Sequence, residues 1–187
     1  ENKFTEVIKD TITINNLLKI DSTINFKNSV IFFKNRSKLI FSENSKLLFK
    51  SCYVFFDGSQ SEKLVIKGDN DNSIFFDDCK VNISNSIFFN LSNFKNDDII
   101  LPSAITFYNS EVNINNSTFK NNIIGDDFLN FYNSKFLITN SLMENSFADA
   151  IDSDFSNGEI YNLTLMNVGN DGLDFSGSIV KIQNSFF

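Results

Sequence analysis

The feature that most constrains this chain is a repeat. An apolar-x-apolar-x-Asn-x-x-apolar pattern appears as Val81, Ile83, Asn85 and Phe88, then as Val112, Ile114, Asn116 and Phe119. It returns as Phe136, Ile138, Asn140 and Met143, as Gly158, Ile160, Asn162 and Leu165, and as Val180, Ile182, Asn184 and Phe187. The asparagines are spaced 31, 24, 22 and 22 residues apart. A second series, Ser103 to Thr106, Asp127 to Asn130, Asp149 to Asp152 and Asp171 to Asp174, keeps the same register at 24, 22 and 22. Two independent columns on one period indicate stacked structural units. The longer interval contains Asn93 to Pro102, a polar stretch ending in the only proline, and reads as a loop leaving a 24-residue coil.

The first third of the chain shows how a coil is built. Runs beginning at Asn28, Arg36 and Asn44 recur every 8 residues, each a polar turn followed by a short apolar or aromatic stretch. Eight residues suit one short strand and a turn. Three eights equal the longer period, so each coil is a triangle with a strand on every side. The expected fold is all-β: a right-handed parallel β-helix solenoid of about eight coils of 22–24 residues, with three short strands per coil. The handedness comes from the general rule for parallel crossovers. Leucine-rich repeats need a leucine framework that is absent, and a β-sandwich does not explain a fixed period. Inward apolar side chains should stack along the axis, and turn asparagines should form hydrogen-bonded ladders.

At 187 residues, 42% of them hydrophobic, the chain suits one domain, 1–187, with a sizeable core. Residues 1–20 read as an amphipathic N-terminal cap and 21–187 as coils. Ser185, Phe186 and Phe187 do not make the polar cap a solenoid end needs. The chain therefore reads as a fragment of a longer protein, with Phe187 available for an end-to-end contact with its remainder. The formal charge of −7 and the single arginine, Arg36, argue against a nucleic-acid partner, because phosphate contacts need clustered cations. No apolar run is long enough for membrane insertion. Cys52 and Cys79 lie about one coil apart and read either as buried thiols or as a rung-to-rung disulfide.

On these repeats the sequence resembles the right-handed parallel β-helix superfamily that includes the pectate lyases. Phe107 to Ser110 and Phe131 to Ser134, both Phe-Tyr-Asn-Ser, together with Asn170 to Asp174, resemble repeats of bacterial extracellular β-helix proteins. The resemblance implies an extracellular or cell-surface protein with polysaccharide as its partner. It does not choose between binding and cleavage.

The chemistry-bearing residues concentrate in the last coils. Asp127, Asp149 and Asp171 form one column, and Asn130, Asp152 and Asp174 the next, with Asp126 and Asp154 nearby. Carboxylates one rung apart repel by about 3–4 kcal/mol at an effective dielectric near 20, and by about 1 in water. Such a column can cap turns through backbone N–H groups. It can instead hold Ca²⁺, with Asp127, Asp149, Asp152, Asp171 and Asp174 as the ligands. A third use is glycoside hydrolysis by paired carboxylates drawn from Asp149, Asp152, Asp171 and Asp174. Catalysis has thin support. The chain has no histidine, Arg36 lies about four coils away, and Lys135 and Lys181 occupy solvent-facing positions. Tyr108 and Tyr132 should stack one coil apart and point outward, either as a sugar-stacking platform or as cover for a loop or an interface with the remainder of the protein. The leading expectation is a non-catalytic polysaccharide-binding domain with Ca²⁺ at the aspartates. A polysaccharide-degrading hydrolase or lyase and a structural spacer of a spike, fibre or adhesin are the alternatives.

Overall fold

The computed structural model describes residues 10–69, 71–95, 100–122 and 124–187. They form a parallel β-solenoid with three faces. The first sheet has eight strands: Asp10–Ile14, Ser29–Lys34, Tyr53–Asp57, Lys80–Ser84, Glu111–Asn115, Lys135–Thr139, Asn157–Tyr161 and Ile179–Gln183. The second has seven: Leu17–Ile20, Lys38–Phe41, Leu64–Lys67, Ser86–Phe89, Thr118–Lys120, Leu142–Ser146 and Thr164–Val168. The third has seven: Ile24–Lys27, Lys46–Lys50, Ser73–Asp77, Ile105–Tyr108, Asp127–Tyr132, Asp149–Asp154 and Leu173–Ser176. The chain thus completes seven three-stranded turns and begins an eighth, close to the expected eight coils. Among the described residues no helix is long and apolar enough to cross a membrane.

The coils begin earlier than the sequence suggests. Asp10–Ile14 already pairs with Ser29–Lys34, and Leu17–Ile20 with Lys38–Phe41. The second half of the expected 1–20 cap is therefore coil, and residues 1–9 lie outside the described residues. The alternation Ile12, Ile14, Leu18 and Ile20, read from sequence as an amphipathic cap, is the ordinary in-out pattern of two strands whose inner residues pack on the core.

Phenylalanine holds the interior together through axial stacks. Phe49, Phe76, Phe107 and Phe131 form a column with ring centroids 4.9, 5.0 and 5.0 Å apart. Phe33 stacks on Phe56 at 4.7 Å, and Phe88 on Phe119 at 5.0 Å. These separations match the spacing of neighbouring strands, so each ring meets its copy face to face while the backbone pairs. In the first sheet the inward column Val81, Val112 and Phe136 continues to Gly158, and the Phe136 ring fills the space there, since a Cβ built on Gly158 would lie 2.1 Å from it.

The corners explain why Asn and Ser are so common. Asn28, Asn109 and Asn133 turn the chain from the third sheet to the first with φ of 50, 50 and 47°. Asn85, Asn116, Asn140, Asn162 and Asn184 do so between the first and second sheets, and Asn44, Asn90, Asn121, Asn145 and Asn167 between the second and third. Asparagine tolerates this left-handed geometry better than other residues with a side chain. Its amide then bonds the copy one coil away. Asn116 donates to Asn85 at 2.6 Å, Asn133 to Asn109 at 2.6 Å, and Asn162 to Asn140 at 2.9 Å.

The residue after the corner makes a second ladder. The hydroxyls of Ser134, Ser156 and Ser178 accept the N–H groups of Ser110, Ser134 and Ser156 at 2.9, 2.8 and 2.9 Å. Cys52 and Cys79 occupy this column, where the Cys79 sulfur accepts the Cys52 N–H at 3.4 Å. Both thiols are free and buried. They stand in for serine, so the thiol reading rather than the rung-to-rung disulfide describes this structure.

Candidate functional site

Grooves of similar volume lie on two faces: one of about 440 Å³ on the first, lined in part by Lys135, Gly158 and Lys181, and one of about 450 Å³ on the third, where an insertion supplies a wall. The outward residues of the third face fall into two columns. One runs Leu48, Phe75, Thr106, Asn130, Asp152 and Asp174; the other runs Lys50, Asp77, Tyr108, Tyr132, Asp154 and Ser176. The polar stretch Asn93 to Pro102 leaves the solenoid just before this face. It forms an antiparallel hairpin, Phe94–Lys95 with Ile100–Leu101, whose residues 96–99 lie outside the described residues. Leu101 and Pro102 then wall a groove of about 450 Å³ with Phe75, Asp77, Thr106, Tyr108, Asn130, Tyr132, Asp152 and Asp154. A shallower depression of about 150 Å³, lined in part by Lys27 and Lys50, continues it past Phe75 and Asp77.

The groove floor carries hydrogen-bonding groups shielded from bulk water. Thr106 is 5% exposed and Asn130 8% exposed. Asn130 donates to Asp152 at 2.7 Å. The Thr106 hydroxyl has no hydrogen-bond partner among the described residues. Native proteins seldom leave a buried hydroxyl unpaired, and the cost is about 1–3 kcal/mol. Burial, then Asp154 and Asp174, push the Asp152 carboxyl up to about 6. Burial and Asp174 also raise Asp154.

Tyr108 and Tyr132 sit where the sequence places them, 39% and 37% exposed. Their rings stack on each other with centroids 5.3 Å apart and planes 17° apart. Each therefore covers one face of the other, and the pair offers the groove its edges and hydroxyls rather than a flat open ring. Phe155 extends this aromatic row, meeting Tyr132 edge-on at 5.8 Å. It occupies the corner position that Asn109 and Asn133 hold in earlier coils, at φ 51°. A bulky residue in this region is unusual, with a cost of about 1–2 kcal/mol. Gly177 in the next coil leaves room for the ring, since a Cβ there would lie 2.9 Å from it.

The aspartates expected to form one metal or catalytic set divide into two groups. Asp152 and Asp174 lie on the outward column. Asp127, Asp149 and Asp171 lie at the preceding corner, in register with Ser103 and Asn72. Asp127 is 2% exposed and accepts the Ser103 hydroxyl at 2.7 Å. Burial, with smaller contributions from Asp152, Asp126 and Asp149, pushes its carboxyl up to about 7. Asp149 is bound by Asn170 and by the Asp171 N–H, both at 2.9 Å, which is the work of a turn cap. Among the described residues, the carboxylates close enough for one ion are Asp126, Asp127 and Asp149, whose ligand atoms lie within 4.8 Å of one another. Asp152, Asp171 and Asp174 are not part of that cluster.

Lys135 and Lys181 are exposed on the first face, away from the aspartates, and Arg36 pairs with Glu62 at 2.5 Å. Phe187, expected at an end-to-end contact, is 69% exposed. The register of Ser103 to Thr106 with Asp127 to Asn130 was the signal that could have placed Thr106 in the site. The hairpin hid Phe75 and Asp77, because it breaks the period between them and the later coils.

Fold and site together define a three-sided parallel β-solenoid whose third face carries an acidic groove. No family model and no curated protein matches the chain. Among the solved structures that align with it are two trypsin-treated variants of QnrB1, a plasmid-mediated fluoroquinolone resistance protein. Each is 15% identical with a TM-score of 0.24; one match covers 93% of this chain and 92% of that one, the other 94% and 93%. A likeness at this level supports no argument about partner or chemistry.

Proposed function

We propose that the third face binds polysaccharide without cleaving it, in the extracellular or cell-surface setting that goes with such a ligand. The observation that carries this reading is the groove itself. It joins apolar walls, Leu101 and Pro102, to a ladder of hydrogen-bonding groups that includes the unpaired Thr106 hydroxyl. A pyranose chain has the complementary make-up, with apolar C–H faces alternating with hydroxyls. The Tyr108 and Tyr132 hydroxyls on one column, and Asn130 and Asp152 on the other, supply partners along the groove. Seven stacked strands give a face about 30 Å long, enough for several sugar units. The resemblance of the repeats to the pectate-lyase superfamily points the same way.

Calorimetric titration with neutral oligosaccharides tests the reading. Binding that weakens about tenfold in Asn130→Ala, equal to about 1.4 kcal/mol, is the expected result. No heat with any glycan would overturn it. Release of new reducing ends would replace it with catalysis, and Asp152 beside Asp154 and Asp174 would be the carboxylates to examine.

The convergence of Asp126, Asp127 and Asp149 favours Ca²⁺ at that corner as a structural ion, since Ca²⁺ collects six to eight oxygens from carboxylates, carbonyls and water. Millimolar Ca²⁺ should raise the unfolding midpoint and a chelator should lower it; equal midpoints would remove the ion from the account.

A further inference from the structure

We infer that the acidic end of the groove receives a protonated amine, so that the ligand is an amino-sugar polymer with free ammonium groups. This rests on the polysaccharide reading and narrows it. Four observations carry it. The groove brings Asp77, Asp152 and Asp154 to one lining, and among the described residues that form it there is no Lys or Arg. The nearest cation on this face, Lys50, is already paired with Asp77 at 2.8 Å. Asp152 and Asp154 therefore face the groove without a cation of their own, while Asp174 stands one rung from Asp152. Four buried hydroxyls are unpaired among the described residues, those of Ser73, Ser92, Thr106 and Ser146. Only that of Thr106 belongs to a residue lining the groove, on the same column as Asp152, and it is the independent observation beside the carboxylates.

The geometry favours an ammonium group over a bare metal ion. Asp152 and Asp154 sit two residues apart on one strand, so their backbones are about 6–7 Å apart. A metal ion requires its oxygens to close to about 2.3–2.6 Å, and the carboxylates that cluster tightly are at the neighbouring corner instead. An ammonium group has three donors, tolerates longer and divergent contacts, and is carried on a ring whose C–H face can pack on Leu101 and Pro102. Burial raises both carboxyls, then Asp154 and Asp174 raise Asp152 and Asp174 raises Asp154, as expected where like charges await a counter-ion.

The test is a calorimetric comparison of glucosamine, N-acetylglucosamine and glucose oligomers of equal length at about pH 6.5, with a short lysine peptide as control. Glucosamine oligomers should bind at least tenfold tighter than the other two. The advantage should shrink several-fold as salt is raised and disappear in Asp152→Asn and Asp154→Asn. Asn130 already occupies the equivalent position one coil earlier, so Asp152→Asn is compatible with the fold; a matching circular dichroism spectrum confirms that each variant is intact. Equal affinity for all three oligomers would sink the amine inference and leave the polysaccharide reading standing. Binding of the lysine peptide with no glycan bound would overturn the sugar polymer as ligand, and no binding at all would overturn both.

Discussion

Asp127→Asn should stabilise this protein, by an amount that grows as pH rises from about 4 to neutral. Asp127 is buried at the corner and its carboxyl is pushed from 3.8 up to about 7. The folded state thus holds a proton that the unfolded chain releases at lower pH. Stability from this group is complete below about pH 3.8 and is lost as pH rises through about 7. The difference of about 3 pH units corresponds to about 4 kcal/mol at 1.36 kcal/mol per unit. Solvent reaching the corner through the neighbouring exposed Asp126 screens part of this, and about 2 kcal/mol is the working figure. Asparagine keeps an acceptor for the Ser103 hydroxyl, carries no charge, and already occupies the equivalent position at Asn72. Thermal unfolding followed by circular dichroism, in chelator, should show the variant about 4–8 °C above the parent at pH 8. At pH 5, about a third of the way through the window, the difference should fall to about 1.5–3 °C, and it should vanish near pH 3.5. A variant less stable than the parent at pH 8, or an equal shift at pH 8 and pH 5, would refute the reasoning.

Other substitutions probe the corners and the core. Ser134→Ala removes the acceptor of the Ser110 N–H and leaves it buried and unpaired, a loss of about 1–3 kcal/mol measurable by denaturant unfolding. Phe155→Asn places the favoured residue at φ 51° and should gain about 1 kcal/mol in the same assay; a loss would show that the ring's contact with Tyr132 outweighs the strain. Gly158→Val restores the residue of earlier coils but collides with the Phe136 ring, and should cost about 1–3 kcal/mol; an unchanged denaturation midpoint would mean that Phe136 moves aside freely.

The period made the solenoid legible because each residue type has one position per coil. Asn at 22–24-residue intervals could mark only a corner, and Phe107 and Phe131 only an inward column, so outward Tyr108 and Tyr132 followed. The corner and the outward column of aspartates were harder to separate. Asp149 and Asp152 are three residues apart in sequence, but one lies at the bend where it caps a turn and the other on a flat strand facing the groove. The stacking of Tyr108 on Tyr132 was legible from the period, but its consequence, that each ring covers one face of the other, follows from the rung spacing being close to ring-stacking distance. Phe155 resembles any exposed aromatic until its left-handed backbone is seen. The groove needed the hairpin, and how a ten-residue insertion folds back over the sheet depends on tertiary packing rather than on its period.

The most direct test of the central claim, that the third face is the binding surface, is a ¹⁵N–¹H NMR titration with a glucosamine oligomer. The account expects shift changes concentrated at Thr106, Asn130, Tyr132, Asp152 and Asp154, with the first face around Lys135 and Lys181 silent. Saturable shifts mapped to the first face, or none on the third at millimolar ligand, would contradict it.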